Sequence, residues 1–154
     1  MTALAHELVP LLAGRWFIQR SNFPMWLKGD KQHPTFDYVV EQRADGPVLI
    51  DTVGYEKNGV HKTIRGIDTP VPGSAAFVWR GAGLLCLLTS HWDVLFVDEA
   101  RGWALIHFTK TLFTPEGYDV ISRAPTMDEA TQQQVTSKLG ELGITAALSS
   151  IPQR

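Results

Sequence analysis

The chain has 154 residues, the size of one ordinary domain, and is expected to fold as a single unit, 1–154, around a core that needs no staples. Its 44% hydrophobic and 19% charged residues exclude a disordered chain, and a formal net charge of −2 without any Lys/Arg run excludes the basic footprint of a nucleic-acid binder. The single cysteine, Cys86, excludes an internal disulfide.

Residues 1–14 lack a basic segment followed by an apolar one, and the longest apolar run, Leu84-Leu85-Cys86-Leu87-Leu88, is far short of the roughly 20 residues of a membrane helix. A reducing cytoplasm and no integral membrane segment are therefore expected. From Gly14 onward, turn signals recur at short intervals: Asp45-Gly46 and Asn58-Gly59, then Pro70 to Gly73, Gly81 to Gly83, Asp98 to Gly102 and Pro115 to Gly117. Between them apolar residues tend to alternate. This predicts eight strands: Arg15–Ser21, Thr35–Arg43, Val48–Glu56, Val60–Asp68, Ala75–Arg80, His91–Val97, Trp103–Thr109 and Tyr118–Ser122. Short consecutive strands with tight turns read as an up-and-down antiparallel meander.

Two segments depart from that pattern. Asn22–His33 is too long for a hairpin turn and carries Phe23, Pro24, Met25 and Trp26. It reads either as a surface loop tucked onto the core or as a lid over a barrel mouth. After Pro125, the run Thr126-Met127-Asp128-Glu129 fits a capping box with Thr126 as N-cap. Ala130, Val135, Leu139 and Leu142 then form one apolar stripe and Gly143 suits the position after the helix end. A helix of about four turns is expected to pack against the outside of the sheet.

Gly14-Arg15-Trp16 opens the first strand and Arg123 closes the last. The two ends meet only if the sheet closes, which lets the guanidinium lie on the indole face, a contact worth roughly 0.5–2 kcal/mol. The fold class expected is all-β, an eight-stranded closed barrel with a C-terminal helix outside.

With these residues in place, the chain resembles the lipocalins, in particular their bacterial and plant temperature-induced branch, in a cytosolic form. The resemblance runs from Leu11 to about Ile144. The first family motif is matched by Gly14-Arg15-Trp16-Phe17 and the third by Ile121-Ser122-Arg123-Ala124-Pro125-Thr126. The strand-turn-strand of the second motif resembles Trp92–Asp98 with Gly102–Ile106, although Asp98-Glu99-Ala100-Arg101 replaces the usual Thr-Asp-Tyr. That departure argues against the receptor contacts this loop makes in some secreted members. Avidin-like chains lack the final Arg followed by a helix, and Asn22–His33 is too short for the helix pair of fatty-acid-binding proteins.

The resemblance implies a cavity for one small hydrophobic molecule, and strand alternation suggests its lining. The inward series expected are Trp16, Ile18 and Arg20; Phe36, Tyr38 and Val40; Phe77 and Trp79; Trp92, Val94 and Phe96; Ala104, Ile106 and Phe108; and Tyr118 with Val120. Ile18, Arg20, Phe36, Tyr38, Trp79, Trp92, Phe108 and Tyr118 are the expected ligand-binding residues. Arg20 either holds a carboxylate or enolate near the mouth or is an exposed strand-end arginine. Tyr38 and Tyr118 either donate a hydroxyl to the ligand or fill the core. Asp68 stands where the family usually has a small residue, and is either a buried carboxylate or a solvated one at a strand end.

Catalytic residues are not assigned. His91 and Asp93 share one strand face, but it opposes Trp92 and Val94 and so points to solvent, as does His107. The five histidines show no metal-ligand spacing, no cofactor is implied, and Cys86 reads as an inert thiol in an apolar run. The function expected is binding of a lipid, terpenoid or polyketide-like molecule. The alternative is a cyclase or isomerase that folds and polarises such a molecule in the same cavity. Monomer and homodimer are both compatible with the sequence.

Overall fold

In a computed structural model, residues 3–111 and 115–153 are described. The strands are β1 (Gly14–Ser21), β2 (Gln32–Arg43), β3 (Gly46–Lys57), β4 (Val60–Pro70), β5 (Ala76–Gly81), β6 (Thr89–Asp98), β7 (Trp103–Phe108), β8 (Gly117–Ser122) and a short β9 (Ser149–Ser150). All pairings are antiparallel and run in sequence order from β2 to β8. β1 then closes the barrel, pairing with β8 through Phe17–Ser21 and with β2 through Gly14–Phe17. Where β1 and β2 part, β9 pairs with Arg20 and Ser21, and Gln153 Nε2 donates to the carbonyls of Ile18 and Pro34, each at 2.9 Å. The eight-stranded closed barrel expected from the sequence is the structure observed.

Helix α1 (Ala5–Leu12) stoppers the end of the barrel at which β1 begins. Its Ala5, Leu8, Val9 and Leu12 form a complete i, i+3, i+4, i+7 stripe and are all buried. No helix is expected here from the sequence. Pro10 disrupts the pattern on paper, yet in eight residues it removes few main-chain bonds, and burial of the stripe dominates. Glu7 supports the start by accepting the Leu4 amide at 2.8 Å.

At this floor the Arg123 guanidinium lies 3.8 Å from the centroid of the Trp16 ring. It also donates to the carbonyls of Leu11 at 2.7 Å and Arg15 at 3.2 Å, while Trp16 Nε1 donates to Leu12 at 2.8 Å. Gly14 has φ +104°, and a Cβ there would stand 3.0 Å from Arg123 Nη1, so both conformation and space call for glycine.

Helix α3 (Glu129–Glu141) lies outside, over β6, β7 and β8. Its N-cap is Asp128, whose carboxylate accepts the Thr131 amide at 2.8 Å; the expected Thr126 cap lies two residues too early. At the other end Ile144 N donates to Leu139 O and Gly143 N to Gly140 O, a Schellman closure with Gly143 at φ +69°. Val135 and Leu139 of the expected stripe pack on Trp103, Leu105 and Val120, whereas Ala130 and Leu142 are exposed.

Two β-bulges reset the alternation. In β1 the extra residue falls between Ile18 and Arg20, and in β6 between Val94 and Phe96. Beyond each, the side chains change face. Phe96 therefore packs outside against Trp103 at 5.1 Å, which corrects its expected inward position.

Replacing Arg123 with alanine removes the indole contact and two charge-assisted hydrogen bonds, and should lower stability by about 2 kcal/mol. Urea unfolding of R123A against wild type measures this, and an unchanged midpoint would contradict a role in closing the floor.

Candidate functional site

The end opposite α1 is covered by Phe23 and the short helix α2 (Pro24–Leu27). The chain turns inward there because Ser21 Oγ accepts the Phe23 amide at 3.0 Å and Asn22 Oδ1 accepts the Tyr118 amide at 2.8 Å. Phe23 crosses Gly117 so closely that a Cβ on that glycine would fall 2.1 Å from the ring, and its edge meets Phe108 at 5.1 Å. Of the two readings of Asn22–His33, the covering segment is the one observed.

Beneath this cover lies a cavity of about 300 Å³, lined by Phe23, Met25, Trp26, Phe36, Tyr38, Asp51, Val53, Ile64, Trp79, Ser90, Trp92, Phe108 and Asp119. That volume is at the small end for molecular binding sites. Trp92 is its central wall, stacked on Phe77 at 4.6 Å and Tyr38 at 6.0 Å, with Phe108 at 6.3 Å. Trp79 lies flat against β4, over Gly66, where a Cβ would meet the indole at 2.1 Å. The rim carries exposed Leu27, Leu84, Leu87 and Leu88.

Three carboxyl groups stand inside the barrel. Asp51 and Asp119 line the cavity itself, and Asp68 lies next to Asp51. Antiparallel pairing sets Asp51 opposite Tyr38 and Gly66, so Asp68, two residues beyond Gly66 on β4, shares its face. Trp92 Nε1 donates to Asp68 Oδ1 at 3.0 Å. Burial raises both carboxyl pKa values, and a hydrogen bond between them completes the pair: Asp68 keeps the proton and donates it to Asp51. Burial likewise pushes Asp119 up to about 7, against the opposing effect of the Ser21 hydroxyl. Apart from the proton shared within the Asp51–Asp68 pair, Asp51 Oδ1, Asp68 Oδ2 and Asp119 Oδ1 have no hydrogen-bond partner among the described residues. Burial, followed by the neighbouring carboxylates, raises the Tyr38 hydroxyl well above its ordinary value.

Of the residues expected to bind ligand, Phe36, Tyr38, Trp79, Trp92 and Phe108 line the cavity, while Ile18 is buried in the core without reaching it. Arg20 is corrected: the bulge turns it outward, where it donates to Gln132 and to Thr136 Oγ1 on α3. Tyr118 is corrected as well. It lies outside against His107, ring centroids 4.9 Å apart, and Val120 is sealed under α3. Both faces of β8 are covered, so apolarity could not choose between them, and the inward residues are Asp119 and Ile121.

Asp51 and Asp119 were missed, although Asp51 lies mid-strand in Val48-Leu49-Ile50-Asp51-Thr52-Val53, on the face of Leu49 and Val53. A carboxylate within an apolar alternation is the signal that finds it. Asp68 proves to be the buried carboxylate of the two readings. Cys86 is exposed in the β5–β6 loop, not a core thiol. His107 pairs with Asp93 at 2.8 Å and Glu116 at 3.0 Å, away from the cavity lining.

This closed barrel with a stoppered floor, a covered mouth and an external helix is the lipocalin fold. Solved structures agree along nearly the whole chain. Lobster apocrustacyanin A1 superposes with a TM-score of 0.72 at 15% identity, covering 98% of this chain and 84% of that one. Insecticyanin from the tobacco hornworm gives 0.71 at 13% identity, covering 95% and 80%. Siderocalin Ex-FABP, which functions through dual ligand specificities, gives 0.67 at 15% identity, covering 92% and 94%. No protein-family model matches the chain, and no curated protein matches it in sequence.

The buried carboxyls make stability depend on pH. In the unfolded chain an aspartate loses its proton near pH 4, whereas native Asp119 holds its proton up to about 7. The native state binds more protons in between, so its stability falls as pH rises from about 4 to about 7. Asp119→Asn should flatten that fall and stabilise the protein by about 2 kcal/mol at pH 8, half the full linkage value because the fold relaxes around the charge. Urea unfolding at pH 5 and pH 8 reads both effects.

Proposed function

We propose that this protein binds one small hydrophobic molecule in the barrel cavity, in the manner of the temperature-induced lipocalins its motifs resemble. The observation that carries this reading is the aromatic-walled cavity beneath Phe23 and α2, enclosed by Trp26, Trp79 and Trp92. Its volume suits a compact ring system or short chain rather than a long acyl tail. The unpaired, exposed Cys86 supports a reducing, cytoplasmic setting. The ligand-binding set under this reading is Phe36, Tyr38, Trp79, Trp92 and Phe108.

A second reading, a cyclase or isomerase using the same cavity, is supported by Asp119. It keeps its proton near neutral pH beside the apolar walls, as a general acid requires. Recovery of a bound ligand chemically unchanged after prolonged incubation would leave the binding reading alone.

Filling the cavity tests the shared premise. Ile64→Trp places an indole in the lined space and should weaken the binding of small neutral aromatics at least about tenfold, as loss of pocket contacts does. Quenching of intrinsic tryptophan fluorescence measures binding, and thermal unfolding confirms that the variant folds.

A further inference from the structure

The ligand's chemistry is constrained by which charges the cavity contains, an argument that rests on the binding function proposed above. Among the described lining residues, Asp51 and Asp119 are the acidic ones, Tyr38 and Ser90 add hydroxyls, and there is no Lys, Arg or His. Both residues are almost wholly buried, at 5% and 1% relative exposure, both line the cavity, and Asp119 Oδ1 has no hydrogen-bond partner among the described residues. Behind Asp51, Asp68 is anchored by Trp92 Nε1 and shares its proton with Asp51, so the pair retains a single negative charge once the first proton has left. That charge has no cationic neighbour in the lining.

A buried charge is stabilised by a counter-charge or by hydrogen bonds, and here the described lining supplies no counter-charge. The surrounding walls are aromatic side chains, from Trp26, Tyr38, Trp79, Trp92 and Phe108, and the faces of such rings attract cations. Both features disfavour a fatty-acid or other carboxylate headgroup, which would face like charge. We propose that the cavity takes a small organic amine, its protonated nitrogen donating to the carboxyl groups of Asp51 and Asp119 that line it and its apolar body packed on the tryptophan walls.

Binding of this kind is linked to pH. The groups facing the site are Ser21 from β1, Tyr38 from β2, Asp51 from β3, Asp68 from β4, Ser90 and Trp92 from β6, and Asp119 from β8. The titrations here near neutrality are those of the carboxyls. As they release protons, a cation gains and a neutral ligand does not, so amine affinity rises between pH 5.5 and pH 8.

Three probes with one body and different heads provide the test: 4-phenylbutylamine, 4-phenylbutan-1-ol and 4-phenylbutyrate, titrated into the full chain by tryptophan fluorescence. The amine should bind at least about tenfold more tightly than the alcohol, and the carboxylate most weakly, as charge-assisted hydrogen bonding requires. Asp51→Asn and Asp119→Asn should each erode the amine's advantage while the alcohol's affinity persists. Alcohol binding with no preference for the amine, or a preference for the carboxylate, overturns the proposal and leaves hydrophobic binding standing. Failure of all three probes to bind overturns both.

Discussion

Everything in this barrel depends on β1 satisfying two neighbours at once. Its first half bonds to β2 and its second half to β8, and Phe17 lies at the point where the two registers overlap. An eight-residue strand shared in this way leaves its far half unpaired on the β2 side. The C-terminal segment fills that gap with β9 and with the Gln153 amide. Closure thus reaches from near the beginning of the chain to its end, and it removes the edges that an open sheet would expose. The bulge after Ile18 is part of the same accommodation, and it decides what β1 can offer the interior.

Closure also creates the electrostatic character of the site. Once the walls are sealed, a carboxyl on an inward position cannot reach bulk water, and its charged form is penalised by the surrounding aromatic rings. Asp51 and Asp68 are brought side by side by the pairing of β3 with β4, whereas Asp119 lies far along the chain on β8. Only closure of the sheet brings all three into one dry interior. The Trp92 indole does two things there: its ring is the aromatic wall and its N–H holds Asp68.

Much of the architecture was legible because it is encoded locally. Asn58 and Gly59 take positive φ in a two-residue hairpin turn joining Lys57 to Val60, and Gly143 ends α3 in the left-handed conformation. Gly14, Trp16 and Arg123 meet as their spacing in the strand order requires. What could not be read depends on distant partners. Asp128 displaced Thr126 as helix cap, and α1 forms despite Pro10 because a barrel end is present to receive its stripe. Leu84 to Leu88, the most apolar run, stands exposed at the mouth, where hydrophobicity alone would have buried it.

By itself the sequence determined the strands, their turns and the paired residues of the floor, since strand alternation, turn conformation and a cation–aromatic pair act over short range or at strand ends. It also placed aromatic rings on the inward positions of β2, β5, β6 and β7. Only the tertiary structure decided which face Arg20, Phe96, Tyr118 and Asp119 present. One inserted residue reverses the alternation, as at Arg20 and Phe96, and on β8 helix α3 covers the outer face as well as the core covers the inner. The chemistry of the cavity was settled at that level, with an arginine exchanged for an aspartate.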